Sequence, residues 1–105
     1  MADGVVIIIP ARWASSRLPG KPLVALRGAG GATATLIERT WRLARLVRGV
    51  RAVHVATDDA RIADAAAGFG ADVVMTSSDC VNGTERCADA VARLGIAPEV
   101  VVNLQ

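Results

Sequence analysis

Five consecutive β-branched residues, Val5 to Ile9, run directly into Pro10. A strand with no polar alternation has no face to offer water, so it reads as buried on both sides, as in parallel sheets covered by helices. Pro10 donates no ladder hydrogen bond and closes the run. In open α/β sheets the carboxyl ends of the strands border the ligand crevice. Here that place is taken by the loop from Pro10 to Leu23, which carries three cations, Arg12, Arg17 and Lys21. Two readings of the loop stand at this point, a polyanion-binding arrangement and ordinary solvated charge.

The remaining pattern alternates. Ala11 to Ala34 reads as a long irregular segment, with glycines at Gly28, Gly30 and Gly31, and loops of that length are functional or mobile. Thr35 and Glu38 have capping-box spacing, and Leu36, Ile37, Thr40, Trp41, Leu43, Ala44 and Val47 recur at helical spacing, predicting a helix from about Leu36 to Arg48 that ends at Gly49. Val50 to Ala56 reads as a second strand. A Thr57-Asp58-Asp59 turn with an aspartate cap then opens a short alanine-rich helix that stops around Gly68 to Gly70. Ala71 to Met75 is a third strand, Asn82 with Glu85 caps a third helix reaching Leu94, and Val100 to Leu104 is a fourth strand. The order implies an α/β fold of the Rossmann-like, doubly wound type, with a mainly parallel sheet. If the fourth strand lies beside the first, in the order 3-2-1-4, the crevice between them faces the Pro10 loop. The pattern ends on that strand and leaves an apolar edge.

Composition narrows the function classes. The 105 residues make one domain at most, below the usual size of a complete nucleotide-handling enzyme. They are 52% hydrophobic but only 3% aromatic, so the core is aliphatic and alanine-rich. A formal charge of +2 is too balanced for a protein that coats nucleic acid, and Arg39, Arg42, Arg45 and Arg48 read as a solvated helix face. Cys80 and Cys87 match no zinc or redox spacing, and His54 falls within a strand, so nitrogen or sulfur ligation of a metal is not expected. The first apolar run is cut by Pro10, so neither a signal peptide nor a membrane span is expected, and a cytoplasmic location is the default.

Lys21 is the sole lysine in the chain, a compact ammonium in a Pro-Gly-Lys-Pro turn. Arginine forks at Arg12 and Arg17 could grip paired phosphate oxygens while Lys21 acts as a point charge near a reacting phosphorus. Gly20-Lys21 is not a P-loop, because Pro22 stands where Ser or Thr would follow. Gly28-Ala-Gly30 is not a dinucleotide fingerprint, because it lies far from the first strand and Thr33 replaces the third glycine.

Several motifs together resemble one family. Ile-Ile-Pro-Ala-Arg at 8–12, Ser-Arg-Leu-Pro-Gly-Lys-Pro-Leu at 16–23, Val-Ala-Thr-Asp at 55–58, Met75-Thr76, Gly-Thr-Glu-Arg at 83–86 and Val-Asn-Leu-Gln at 102–105 follow in the order found in the sugar-activating cytidylyltransferases. The resemblance is greatest to the 3-deoxy-manno-octulosonate (Kdo) type. It spans nearly the whole chain and implies a nucleotide-diphospho-sugar transferase fold cut after its fourth strand, residues 1–105 being the N-terminal nucleotide-binding portion. The implied reaction joins CTP and a sugar acid to give CMP-Kdo and pyrophosphate, for lipopolysaccharide biosynthesis.

By the same resemblance Pro10, Ala11 and Arg12 hold the cytidine nucleotide, and Arg17 and Lys21 hold the triphosphate and serve catalysis. Asn82, Thr84 and Arg86 contact base or ribose, and Gln105 contacts the sugar acid. Asn82 to Arg86 also reads simply as a capped helix start, Asp58 as a helix cap before a metal ligand, and Trp13 as a cover for the loop or a border of the base pocket. Magnesium is implied, with its carboxylates expected downstream of Gln105. The isolated chain is accordingly expected to be inactive, and the full-length enzyme is open to homodimer formation. Spore-coat-polysaccharide-type and acylneuraminate cytidylyltransferases are the alternatives within the class. The first shares Arg-Leu-Pro-Gly-Lys, but Pro10, Pro22 and the Gly-Thr-Glu-Arg turn favour the Kdo type. A non-catalytic nucleotide-binding module is the alternative from another class.

Overall fold

The computed structural model describes residues 4–13, 20–27 and 33–104. Strand β1 is Val5–Pro10, β4 is Val50–Thr57, β5 is Asp72–Met75 and β6 is Val100–Asn103, and they form one parallel sheet in the order β5-β4-β1-β6. This is the doubly wound order read from the sequence, with β1 central between β4 and β6. Ile8 stands opposite His54 on one side and Asn103 on the other. Near its start β4 carries one extra residue, so the register shifts between Val5 and Val6.

The uninterrupted apolar run of β1 is buried on both faces, with Val6 to Ile9 all 3% exposed or less. Ile7 and Ile9 pack with Val55 under helices α1 (Leu36–Arg45) and α2 (Ala60–Gly68), through Ile37, Trp41, Ile62 and Ala66. Val6 and Ile8 face the other way, against Cys87 and Ala90 of helix α3 (Gly83–Leu94). Each such aliphatic side chain contributes about 1.5–3 kcal/mol on burial, and the period-2 split supplies both layers from one strand.

The helix caps follow the sequence closely. Thr35 accepts from the Glu38 N–H, and Asn82 accepts from the Glu85 N–H at 2.8 Å. Glu85 reaches back to the N–H of Val81, one residue before the cap.

Four expectations need correction. Helix α1 ends at Arg45, three residues early, because Leu46 and Val47 donate to carbonyls only three residues back and tighten the last turn before Gly49 at φ +80°. Leu43 and Val47 of its expected apolar set are exposed, and only Ile37, Trp41 and Ala44 are buried. Residues 11–34 are not wholly irregular. A short 3-10 turn, Lys21–Leu23, is followed by an antiparallel pair, β2 (Ala25–Arg27) and β3 (Thr33–Thr35). Finally, Asp59 caps α2, not Asp58, with its Oδ1 accepting from the N–H groups of Arg61 and Ile62. Gly28, Gly30 and Gly31 lie outside the described residues.

Arg39, Arg42, Arg45 and Arg48 are exposed, as a solvated face requires, and Arg42 pairs with Glu38 at 2.7 Å. Among the described residues no helix is long and apolar enough to cross a membrane.

Candidate functional site

The carboxyl ends of β1, β4 and β5 are drawn together by backbone bonds that continue past the strands. Ala11 donates to the Ala56 carbonyl, Thr76 to that of Thr57, and Leu104 to that of Ile8. Two adjoining cavities open there, of about 170 and 370 Å³. The smaller lies between Pro10, Ala11 and Arg12 on one side and Cys80 to Gly83 and Arg86 on the other. Arg12, Cys80 and Arg86 also border the larger, which extends to Trp13, Asp58 and Arg61. A further cavity, of about 320 Å³, sits at the opposite end of the sheet near Trp41 and Arg51 and is lined by none of the nucleotide- or sugar-binding candidates read from the sequence.

Arg86 belongs to the first turn of α3, yet it is only 4% exposed. Its Nη1 donates to Thr76 Oγ1 at 2.6 Å and to the Ser77 carbonyl at 3.4 Å, and lies 3.5 Å from Asp58 Oδ1. A buried guanidinium is tolerable only when paired in this way. The contact also explains why Asp58 caps nothing, since its carboxylate faces Arg86. The Ser77 N–H donates to Asp89, and this bond, together with Arg93, holds the Asp89 carboxyl below the usual aspartate range. Asp59 is likewise held low, chiefly by its side-chain bond to Arg61.

Arg12, by contrast, is exposed, and its guanidinium makes no hydrogen bond or ion pair with the described residues. Pro10, Ala11, Arg12, Asn82 and Arg86 are thus brought to one crevice. Thr84 is exposed on the first turn of α3 and borders neither cavity. Arg17 and Gln105 lie outside the described residues, as does the side chain of Lys21, whose backbone opens the 3-10 turn. Cys80, Ser78 and Arg61 also border the crevice, and nothing in their spacing announces it. Cys87 is buried and its thiol is pushed up by desolvation.

Among the described residues there is no group of three or more His, Cys, Asp or Glu able to hold a metal ion. Asp58 and Asp59 adjoin the larger cavity, but both face arginines. Each carboxylate is already engaged by arginine charge, so neither offers magnesium the free anionic oxygen it takes alongside waters and phosphates.

Comparison with known proteins bears on the fold and the family. Residues 6–105 match the profile of the cytidylyltransferase family. The chain is 52% identical over 101 residues to a 3-deoxy-manno-octulosonate cytidylyltransferase of Maricaulis maris, covering 96% of this chain and 37% of that one. It is 52% identical to the mitochondrial enzyme of that name from Arabidopsis thaliana, covering 33% of it. Against the 8-amino-3,8-dideoxy-manno-octulosonate cytidylyltransferase of Shewanella sediminis the identity is 48%, with 40% of that protein covered. A solved CMP:2-keto-3-deoxy-manno-octonic acid synthetase complexed with CTP superposes with a TM-score of 0.78 at 41% identity, over 86% of this chain and 35% of that chain. The chain therefore spans well under half the length of the relatives it matches.

Proposed function

This chain belongs to the cytidylyltransferase family, and on that premise we propose that residues 1–105 form the N-terminal, nucleotide-binding portion of an enzyme that activates 3-deoxy-manno-octulosonate with CTP. The single observation that carries the reading is the crevice at the carboxyl ends of β1 and β4. There Arg12, with no partner among the described residues, faces the capped turn Asn82–Arg86 across a cavity open to solvent.

In this reading Pro10, Ala11 and Arg12 take the cytidine nucleotide, and Asn82 supplies base or ribose contacts from the opposite wall, which Arg86 shapes; Thr84, outside both cavities, has no such contact in the described arrangement. Arg17 and Lys21 hold the triphosphate. A hydroxyl of the sugar acid attacks the α-phosphorus, the bond to the bridging oxygen breaks, and pyrophosphate leaves. Arg17 and Lys21 stabilise the charge that grows on the departing group. Gln105 contacts the sugar acid. Magnesium would neutralise phosphate charge in such a reaction, and Asp58 and Asp59, each engaged by an arginine, are not free to hold it.

The reading places the activity in lipopolysaccharide biosynthesis in the cytoplasm, with homodimer formation by the complete polypeptide as a further part of it. The 8-amino-3,8-dideoxy sugar is a second reading, favoured by the 48% identity to a protein named for that substrate.

Calorimetric titration with CTP, UTP, GTP and ATP tests the nucleotide assignment. CTP is expected to bind at least ~10-fold more tightly than the other three, because a base-edge contact that is lost leaves a buried polar group unpaired. Equal affinity for all four would overturn the assignment.

A further inference from the structure

We propose that Asp58 and Thr76 are positioning residues, which fix the Arg86 guanidinium so that its second edge takes a pair of acceptors on the bound nucleotide. The proposal rests on the nucleotide reading above and gives it two residues to which the resemblance assigned no such part. Arg86 is 4% exposed and borders both cavities of the crevice. Each hydrogen bond of its side chain leaves from one nitrogen, Nη1, which donates to Thr76 Oγ1 at 2.6 Å and to the Ser77 carbonyl at 3.4 Å. The same nitrogen lies 3.5 Å from Asp58 Oδ1. Nε and Nη2 donate to none of the described residues. Neither is sealed, because the one side-chain polar atom among the described residues that is closed to solvent without a partner is Asn103 Oδ1. The Nε–Nη2 edge therefore opens on the crevice that Arg86 borders.

Both partners are themselves fixed. Thr76 is 7% exposed, and its N–H donates to the carbonyl of Thr57, so its hydroxyl stands where the ends of β5 and β4 meet. Asp58 follows Thr57 at the end of β4 and takes no part in capping α2. That task falls to Asp59, whose two oxygens also bond Arg61 at 2.7 and 3.1 Å. Arg61 in turn lies 3.4 Å from the centroid of the Trp13 ring. The adjacent acids are thus divided between two arginines, and Asp58 is the carboxylate left for Arg86. A guanidinium is planar, so gripping it at Nη1 from two strand ends fixes the direction of its other edge. Nε and Nη2 offer two parallel N–H bonds, the fork that matches two adjacent acceptors. A nucleotide has such pairs at the oxygens of a phosphate and at O2 and N3 of cytosine, whereas N3 of uracil carries a proton.

The test uses the complete polypeptide with D58N, T76V and T76S, all close in shape to the parent. Calorimetry is expected to show ~5-fold weaker binding of CTP by D58N and T76V, with T76S, which keeps the hydroxyl, within ~2-fold of the parent. In turnover the loss should fall on KM for CTP, with kcat within ~2-fold of the parent, because the edge serves binding. A fall in kcat at unchanged KM would overturn the proposal. Titration with UTP separates the two sources of the acceptor pair. A base contact narrows the preference for CTP over UTP in D58N and T76V, a phosphate contact weakens both nucleotides by the same factor, and either result supports the shared chemistry. Parental CTP affinity in both D58N and T76V, whatever their stability, would show a purely structural role and overturn the proposal. The second readout is modification of Arg86 by phenylglyoxal without nucleotide, mapped by mass spectrometry, expected to rise ~5-fold in D58N and T76V as the guanidinium is released. Modification at the parental rate in both variants would also overturn it. Should the parent bind no CTP, the nucleotide reading fails, and the modification rates still decide whether Asp58 and Thr76 hold Arg86.

Discussion

Arg12 and Arg86 border the same small cavity, but one is exposed with no partner among the described residues and the other is almost wholly buried with three. The difference separates two tasks of positive charge. Arg86 is already neutralised and oriented by Asp58 and Thr76, so it shapes the crevice and holds β4, β5 and α3 in register. Among the described residues nothing draws on the bonding capacity of Arg12, which is what a phosphate-bearing ligand can use. One wall of the site is built by the fold, and the other is left to be completed by the ligand.

The comparison can be broken by substitution. The largest effect is expected from R86A, which leaves Asp58 and Thr76 without their partner and should lower stability by about 2–3 kcal/mol in chemical denaturation. R86K should recover only part of that, because an ammonium cannot reproduce the fork. A stability loss for R86A no greater than that of R12A would remove the distinction between the two walls. Next in size, R12A should weaken CTP binding by about tenfold while changing stability by less than about 0.5 kcal/mol. K21A should weaken CTP binding more than CMP binding, and equal losses would argue against a triphosphate role.

The smallest effect concerns acid. Asp89 has its carboxyl held below the ordinary value of 3.8, first by the Ser77 N–H and then by Arg93. A depressed folded pKa gives stability that is complete above the ordinary value and is lost as pH falls through the lowered one. D89N should therefore reduce stability at neutral pH and flatten its decline below about pH 4. A denaturation series from pH 7 to pH 2 that gives parallel curves for D89N and the parent would contradict this.

Much of this architecture is legible in the residues, for identifiable reasons. Strand β1 has a single hydrophobic pattern that only a doubly covered sheet satisfies, and Thr35 and Asn82 cap by local bonds that depend on three-residue spacing alone. The features that were not legible depend on contacts distant in sequence. Asp58 and Asp59 are neighbours of identical chemistry, and only Arg86, brought in by α3, decides which of them caps the helix. Helical spacing placed Leu43 and Val47 with the buried residues, but periodicity does not say where the covering layer ends. Strands β2 and β3 have three residues each, too few to show any period. The site was legible as a loop and a turn. The meeting of Trp13 with Arg61, 48 residues apart in number, carries no local signature.

The segment Ser77–Asn82 is attached at both ends to the helix that follows it. The Ser77 N–H is bound by Asp89, the Val81 N–H by Glu85, and Asn82 caps the first turn. A loop tied in this way cannot flap by itself on the nanosecond scale of free surface loops. If this side of the crevice opens and closes around a nucleotide, turn and helix must swing as a single rigid body, with the strand ends as the hinge.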